Sequence, residues 1–228
     1  MSLTEIMSEL ESLGTAQNRK TWARHGAPEN QFGVSYAELY KLQKKIKCDH
    51  DLALALWATG NADARILATL IGDPNRMSFE TLDQWLMDCN YYIINEAIAR
   101  YIAAKVPNIR EAAERWIESS HEWTSACGWT VLAVMAGTGS SEDGLADDYF
   151  SPLLDRIEAE VHSAPNRTRH AMNMALCSFG IYREGLRASV LQATGRIGKV
   201  VVDHGKTGCK TPDAASYILK AAQRRKGK

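Results

Sequence analysis

The stretch DCNYYIIN, Asp88 to Asn95, holds the side-chain types of a site that could stabilise a developing positive charge: a carboxylate at Asp88, a ring at Tyr91 and an amide at Asn95. Tyr91 and Asn95 are four apart, so a continuous helix would set them on one face, and Asp88, seven before Asn95, would lie near it. Stabilising charge as a bond breaks needs a negative group close by, and an amide offers only a carbonyl dipole. Nor can an amide take a proton from water at neutral pH. Asp88 is the acid available for such a role, because Glu96 is turned about 100 degrees away around the helix. Plainer readings stand beside these. Asn95 can simply hydrogen-bond its helix neighbours, Tyr91 can pack with its hydroxyl at the surface, and Asp88 can be a solvated acid.

A second cluster lies in GKVVVDHGKTGCKTPDAASYIL, Gly198 to Leu219, where Asp203, His204 and Cys209 are potential ligands and Asp213 follows. A zinc site wants three or four ligands in tetrahedral array, and the paired Cys-x-x-Cys or His-x-x-x-His spacing is absent. Folding would have to bring His170 or Asp213 close, so neither a metal nor another cofactor is expected. Lys210 and a nearby helix start could activate the Cys209 thiol, but sequence adjacency does not align the His204 imidazole with the Asp203 carboxylate. The alternative is structural: Gly205 and Gly208 shape a tight loop, Thr211 caps the last helix at Pro212, and the thiol is inert.

The elements that must position these groups are helices. With 228 residues, 45% hydrophobic and 24% charged, the chain can bury a core without disulfides, and a single domain over 1–228 with a frayed basic tail at 220–228 is expected. Leu3, Ile6, Met7 and Leu10 recur at spacings of three and four, as do the apolar residues of 49–59, 62–71, 109–118, 122–135, 166–179 and 183–195. Ser35 is a plausible cap for YAELYKLQKKI, and Ser78 or Thr81 for a long segment with a bend near Cys89 or Asn90. Pro152 can open a helix that runs to about Ser163, after the break AGTGSSEDGLADDYFSP. No convincing alternating strand occurs. An all-α fold follows, either an irregular bundle or a stack of helical pairs.

Five scattered cysteines suit reduced thiols, and the acidic N-terminus lacks the pattern of a signal peptide. No apolar run reaches the length of a membrane span, so the expectation is a cytoplasmic protein with no membrane partner. The 27 basic and 27 acidic residues balance, yet from Arg156 onward 14 Lys and Arg face 5 acids, while Glu111 to Phe150 holds eight acids and one base. That asymmetry permits contact with a polyanion. Lys41, Lys44, Lys45 and Lys47, with Arg167, Arg169, Arg183, Arg187, Arg196, Lys199 and Lys206, are the candidates for phosphate contact; a solvated surface is the alternative for each. Nothing here reads base edges, so sequence-specific recognition is not expected.

Four separated segments carry a resemblance: FGVSYAELYKLQKKIKCDHDLALALWATGNADARILATLIGDP, LDQWLMDCNYYIIN, AAERWIESSHEWTSACGWTVLA and NRTRHAMNMALCSFG. In that order they resemble the DNA alkylation repair family, over about Phe32 to Ile218. The resemblance implies a solenoid of HEAT-like helical repeats whose concave basic face holds double-stranded DNA. Active members of the family remove N3- or N7-alkylated purines with two aromatic side chains and a carboxylate, without turning the base into a deep pocket. The first aromatic falls on Tyr91, where tryptophan is expected, the catalytic aspartate on Asn95 and the second tryptophan on Met174. A phosphate-binding arginine falls at Ser125 or Ala126. The resemblance therefore implies a DNA-binding protein whose alkylpurine glycosylase activity is absent, weak or altered. A helical scaffold that binds another protein is the alternative.

Overall fold

The computed structural model describes residues 1–138 and 145–226, so the centre of the Gly, Ser and Asp-rich break lies outside the described residues. Thirteen α-helices and no strand occur among those residues, and the chain divides into two compact units. The first comprises Met1–Ile109 with His204–Gly208, the second Arg110–Asp203 with Cys209–Lys228.

In the first unit, side-chain caps set the helix starts. Ser2 and Glu5 form a capping box on α1 (Leu3–Leu13), whose Ile6 and Leu10 are buried. Thr15 caps α2 (Ala16–Arg24), a helix with no buried residue and hence no apolar period to betray it in the sequence. Ser35 caps α3 (Tyr36–Ile46), Asp49 caps α4 (His50–Ala58), and Asn61 accepts from the N–H groups of Asp63 and Ala64 to start α5 (Ala62–Ile71). Helix α5 is the core of this unit, buried almost all round, and it packs on α3 and α4. A Cβ on Gly72 at its end would lie 2.5 Å from Ile102 Cδ1, so only glycine allows that approach.

Ser78, not Thr81, caps α6 (Phe79–Met87). The expected bend is a full break from Asp88 to Tyr91, after which α7 (Tyr92–Ala97) runs on through a π-helical turn, Ile98–Ile102, and a 3-10 turn, Ala103–Lys105.

In the second unit α8 (Ile109–Ile117), α9 (Glu122–Thr138), α10 (Asp147–Glu160), α11 (Asn166–Tyr182), α12 (Arg187–Ile197) and α13 (Ala214–Lys226) follow. Helices α9 and α11 make the broadest contact, and α8, α10, α12 and α13 pack around them. Trp116, Trp129, Phe150 and Phe179 are fully buried, each contributing roughly 2 to 3 kcal/mol of apolar burial. Three expectations need correction here. Pro152 does not open α10 but sits inside it, on a solvent-facing side where the missing N–H leaves no buried carbonyl unpaired. Residues 183–186 form a turn rather than the start of α12, because Arg183 leaves the helical region at φ −102°, ψ 94°. Asp213, not Thr211, caps α13, its Oδ1 accepting from the Ser216 N–H at 2.9 Å.

Candidate functional site

The break between α6 and α7 is held by a network that includes the available acid. One oxygen of Asp88 accepts from Trp57 Nε1 at 2.9 Å and the other from Gln84 Nε2 at 2.9 Å. Arg65 reaches the same residue, with Nη1 3.0 Å from the Asp88 carbonyl and Nη2 3.9 Å from the carboxylate. Its guanidinium lies 4.8 Å from the Trp57 ring centre, and Trp57 stacks flat on Trp85 at 4.1 Å. Asp88 thus ties α4, α5 and α6 together, and its lone pairs are directed at donors of the protein.

Tyr91 and Asn95 do not share a helical face, because Tyr91 is extended, at φ −144° and ψ 126°, and only its carbonyl enters α7. Both are buried, each 3% exposed. The Tyr91 ring packs edge-on against Tyr92 at 5.4 Å, and its hydroxyl has no hydrogen-bond partner among the described residues. Burial pushes the ionisation of that hydroxyl up. The Asn95 side chain contacts the buried Cys89 thiol, which in turn donates to the Tyr91 carbonyl at 3.5 Å. Burial pushes the thiol up to about 11. Asn95 is therefore a neutral amide packed inside and engaged with its neighbours.

The remaining candidates of this unit are surface cations on α3. Lys41 pairs with Glu38 at 2.8 Å and Lys45 with Glu9 at 3.0 Å, while Lys44 is exposed with no ion pair among the described residues. Such exposed pairs are worth little and can exchange for phosphates.

In the second unit Met174 is half-buried on α11. Ser125 and Ala126 are buried, with the Ser125 hydroxyl directed at the Ile117 carbonyl. The arginines are mostly engaged in holding backbone. Arg183 donates to the carbonyls of Leu145 and Met135 and lies 4.4 Å from the Phe150 ring centre. Arg187 donates to those of Gly180 and Ile181, and Arg169 to those of Ala164 and Val201. Arg196 forks onto Glu158, and the backbone of Arg167 donates to Glu122. Lys199 is exposed with no ion pair among the described residues.

Residues 198–213 form an irregular connection. Asn166 pairs with the Asp203 backbone through two bonds of 2.8 Å, and Thr207 Oγ1 donates to the His204 carbonyl at 3.0 Å, with Gly205 at φ +65° between them. Cys209 is exposed. Among the described residues no three His, Cys, Asp or Glu side chains come together as a metal site.

The sequence matches the family described as DNA alkylation repair enzyme over residues 6–218. The chain belongs to the DNA alkylation repair family. Two relatives are uncharacterised proteins of Listeria innocua, 29% identical over 98% of this chain and 99% of that protein, and of Listeria monocytogenes, 28% identical over 99% of this chain and 100% of that protein. A solved structure described as a new family of proteins related to the HEAT-like repeat DNA glycosylases, with affinity for branched DNA structures, matches with a TM-score of 0.90 and 28% identity. It covers 99% of this chain and 95% of that one. The helical stack is therefore of the HEAT-like kind, which resolves the choice between bundle and repeat left by periodicity. In this member of the alkylation repair family no helix among the described residues is long and apolar enough to cross a membrane.

The residues least visible in the sequence are Asp63, Trp57 and Arg65. Asp63 is 3% exposed and accepts from the backbone N–H groups of Phe32, Gly33 and Val34 at 2.6, 3.0 and 3.0 Å. Burial raises its ionisation and the three donors oppose that rise. An acid in the first turn of a helix signals only capping, so nothing in the sequence points to the loop it holds.

Proposed function

We propose that this protein binds DNA, with preference for branched over linear duplex, and does not release N3- or N7-alkylated purines. The observation that carries the reading is Asn95: the position where the family resemblance expects a carboxylate holds a buried amide in contact with Cys89. Cleavage of a glycosidic bond leaves positive charge on the sugar, and without a negative group beside it the transition state loses its largest electrostatic support. Asp88 does not replace it, since its oxygens already serve Trp57 and Gln84. The choice of branched DNA is supported by the affinity for branched DNA structures stated for the structural neighbour. Binding rests on cations at exposed positions, Lys44 and Lys199 among them.

The test combines binding and chemistry on the same DNA. Affinity for a four-way junction and for a linear duplex is measured against salt, where each neutralised phosphate adds about −0.9 to the slope of log K on log salt. Free purine bases are then assayed from methylated duplex at saturating protein. Tighter junction binding with a steep salt slope and no purine release is expected. Equal affinity for both forms, no binding, or release that is lost in Asp88→Asn would overturn the reading.

A further inference from the structure

Helix α13 presents one face to the core and another to solvent, and the second combines rings with cations. Ala214, Ile218 and Ala222 point inward, with Ile218 packed against Gly180 so closely that a Cβ there would meet it at 2.6 Å. Spaced at three and four along the side that flanks this stripe are Tyr217, Lys220, Ala221 and Arg224, with Arg225 beside them. Together with Tyr182 at the end of α11 they line an open groove of about 430 Å³, a volume within the range of small-ligand sites.

Three properties of this groove point to one class of ligand. Its rings are exposed, Tyr182 by 42% and Tyr217 by 46%, and both line the same groove rather than standing singly on the surface. Among the described residues, Lys220 and Arg224 make no ion pair and no carboxylate lines the groove. The acids nearest in sequence are occupied, Glu184 facing Arg187 at 3.4 Å and Asp213 capping its own helix. One wall is formed by Tyr182, with the Arg225 guanidinium 4.8 Å from its ring centre and Gly137 so near that a Cβ there would come within 3.1 Å of the ring. Rings on which flat bases stack, set among cations that track a backbone, are the recurring arrangement of single-strand binding surfaces.

We propose that this groove binds unpaired nucleotides of a DNA strand, with a base stacked on Tyr217 and the flanking phosphates held by Lys220 and Arg224. The proposal rests on the DNA-binding reading above and adds to it a site for unpaired strand, which a linear duplex does not offer.

Fluorescence anisotropy with an end-labelled oligothymidylate of about twelve nucleotides, within the usual site size, tests it directly, with an abasic strand of equal length as the control for phosphate contact alone. The whole chain should bind the oligothymidylate more tightly than the abasic strand. Tyr217→Ala should weaken the first by about ten-fold, Tyr217→Phe should stay within about two-fold, and the double variant Lys220→Ala, Arg224→Ala should weaken both strands. Equal affinity for the two strands, no binding of either, or an unchanged affinity in Tyr217→Ala overturns the proposal. Junction and linear duplex measured in parallel separate the two readings. Junction binding that persists while Tyr217→Ala has no effect sinks the groove alone. Oligothymidylate binding that depends on Tyr217, with no junction preference, sustains the groove and sinks the branched-DNA reading.

Discussion

The Asp88–Asn95 break in the first unit and the α11–α13 groove in the second both set tyrosine rings among polar side chains and use them in opposite ways. At the break, Asp88 accepts from Trp57 and Gln84, Asn95 contacts Cys89, and Tyr91 is buried, its hydroxyl without a hydrogen-bond partner among the described residues. In the groove, Tyr217, Lys220 and Arg224 stay at the surface, and no acid among the described residues lines their wall. Residue type tells what a side chain could do, and engagement decides whether it does it.

The comparison breaks first if the interior of the first unit is not as tightly tied as its hydrogen bonds imply. Asp63→Ala leaves three backbone N–H groups without their acceptor and should lower stability by about 4 kcal/mol, read from urea unfolding. A loss under about 1 kcal/mol would mean that the loop of Phe32 to Val34 is held by other contacts.

Asn95→Asp sharpens the same point. A carboxylate placed at a buried position has its ionisation raised, so the folded state holds the proton that the unfolded state has lost at neutral pH. The variant should be about 3 kcal/mol less stable at pH 7 and lose less at pH 5, where the unfolded carboxyl is closer to protonation, and it should gain no purine release. Equal loss at both pH values would place Asn95 in contact with water.

Arg183→Ala compares a buried-side arginine with the exposed cations of the groove. Removing a group that holds two carbonyls should cost about 1 to 2 kcal/mol and leave the salt slope of DNA binding unchanged. A slope reduced by about one unit would instead make Arg183 a phosphate contact.

How far the sequence reveals these differences can be traced in particular residues. Helices α3 to α6 are legible because Ser35, Asn61 and Ser78 cap runs with a clear apolar period. Helix α2 is not, because no residue of it is buried. The bend at Cys89 is legible, but the extended conformation of Tyr91 is not, and that one residue removes Tyr91 and Asn95 from the shared face that their spacing suggests. The basic residues near the C-terminus read as solvated tail, whereas α13 carries them in order as far as Lys226. A run of charges shows its two faces only when the buried stripe of Ala214, Ile218 and Ala222 is known.

Cysteine reactivity gives the smallest effect and a contrast of the same kind. Burial pushes Cys89 up to about 11 and Cys177 up to about 12, and Cys127 is buried, whereas Cys48 and Cys209 are exposed. Native protein treated with iodoacetamide at about pH 8 should gain two adducts by mass, at Cys48 and Cys209. The stability that comes from burying the Cys89 thiol is fully present below about pH 8.5, the ordinary thiol value, and is lost as pH rises toward 11. A third adduct that maps to Cys89 on the native chain would show that the Asp88–Asn95 break opens to solvent.

The central claim is recognition without glycosidic cleavage, and one measurement bears on it most directly: release of free methylated purine from methylated duplex in a single-turnover reaction, with protein in excess and the bound fraction of DNA read in the same tube. The account predicts that all of the DNA is bound and that release stays at the rate of DNA alone. Release above that rate, abolished when Asn95 or Asp88 is replaced by alanine, would contradict it.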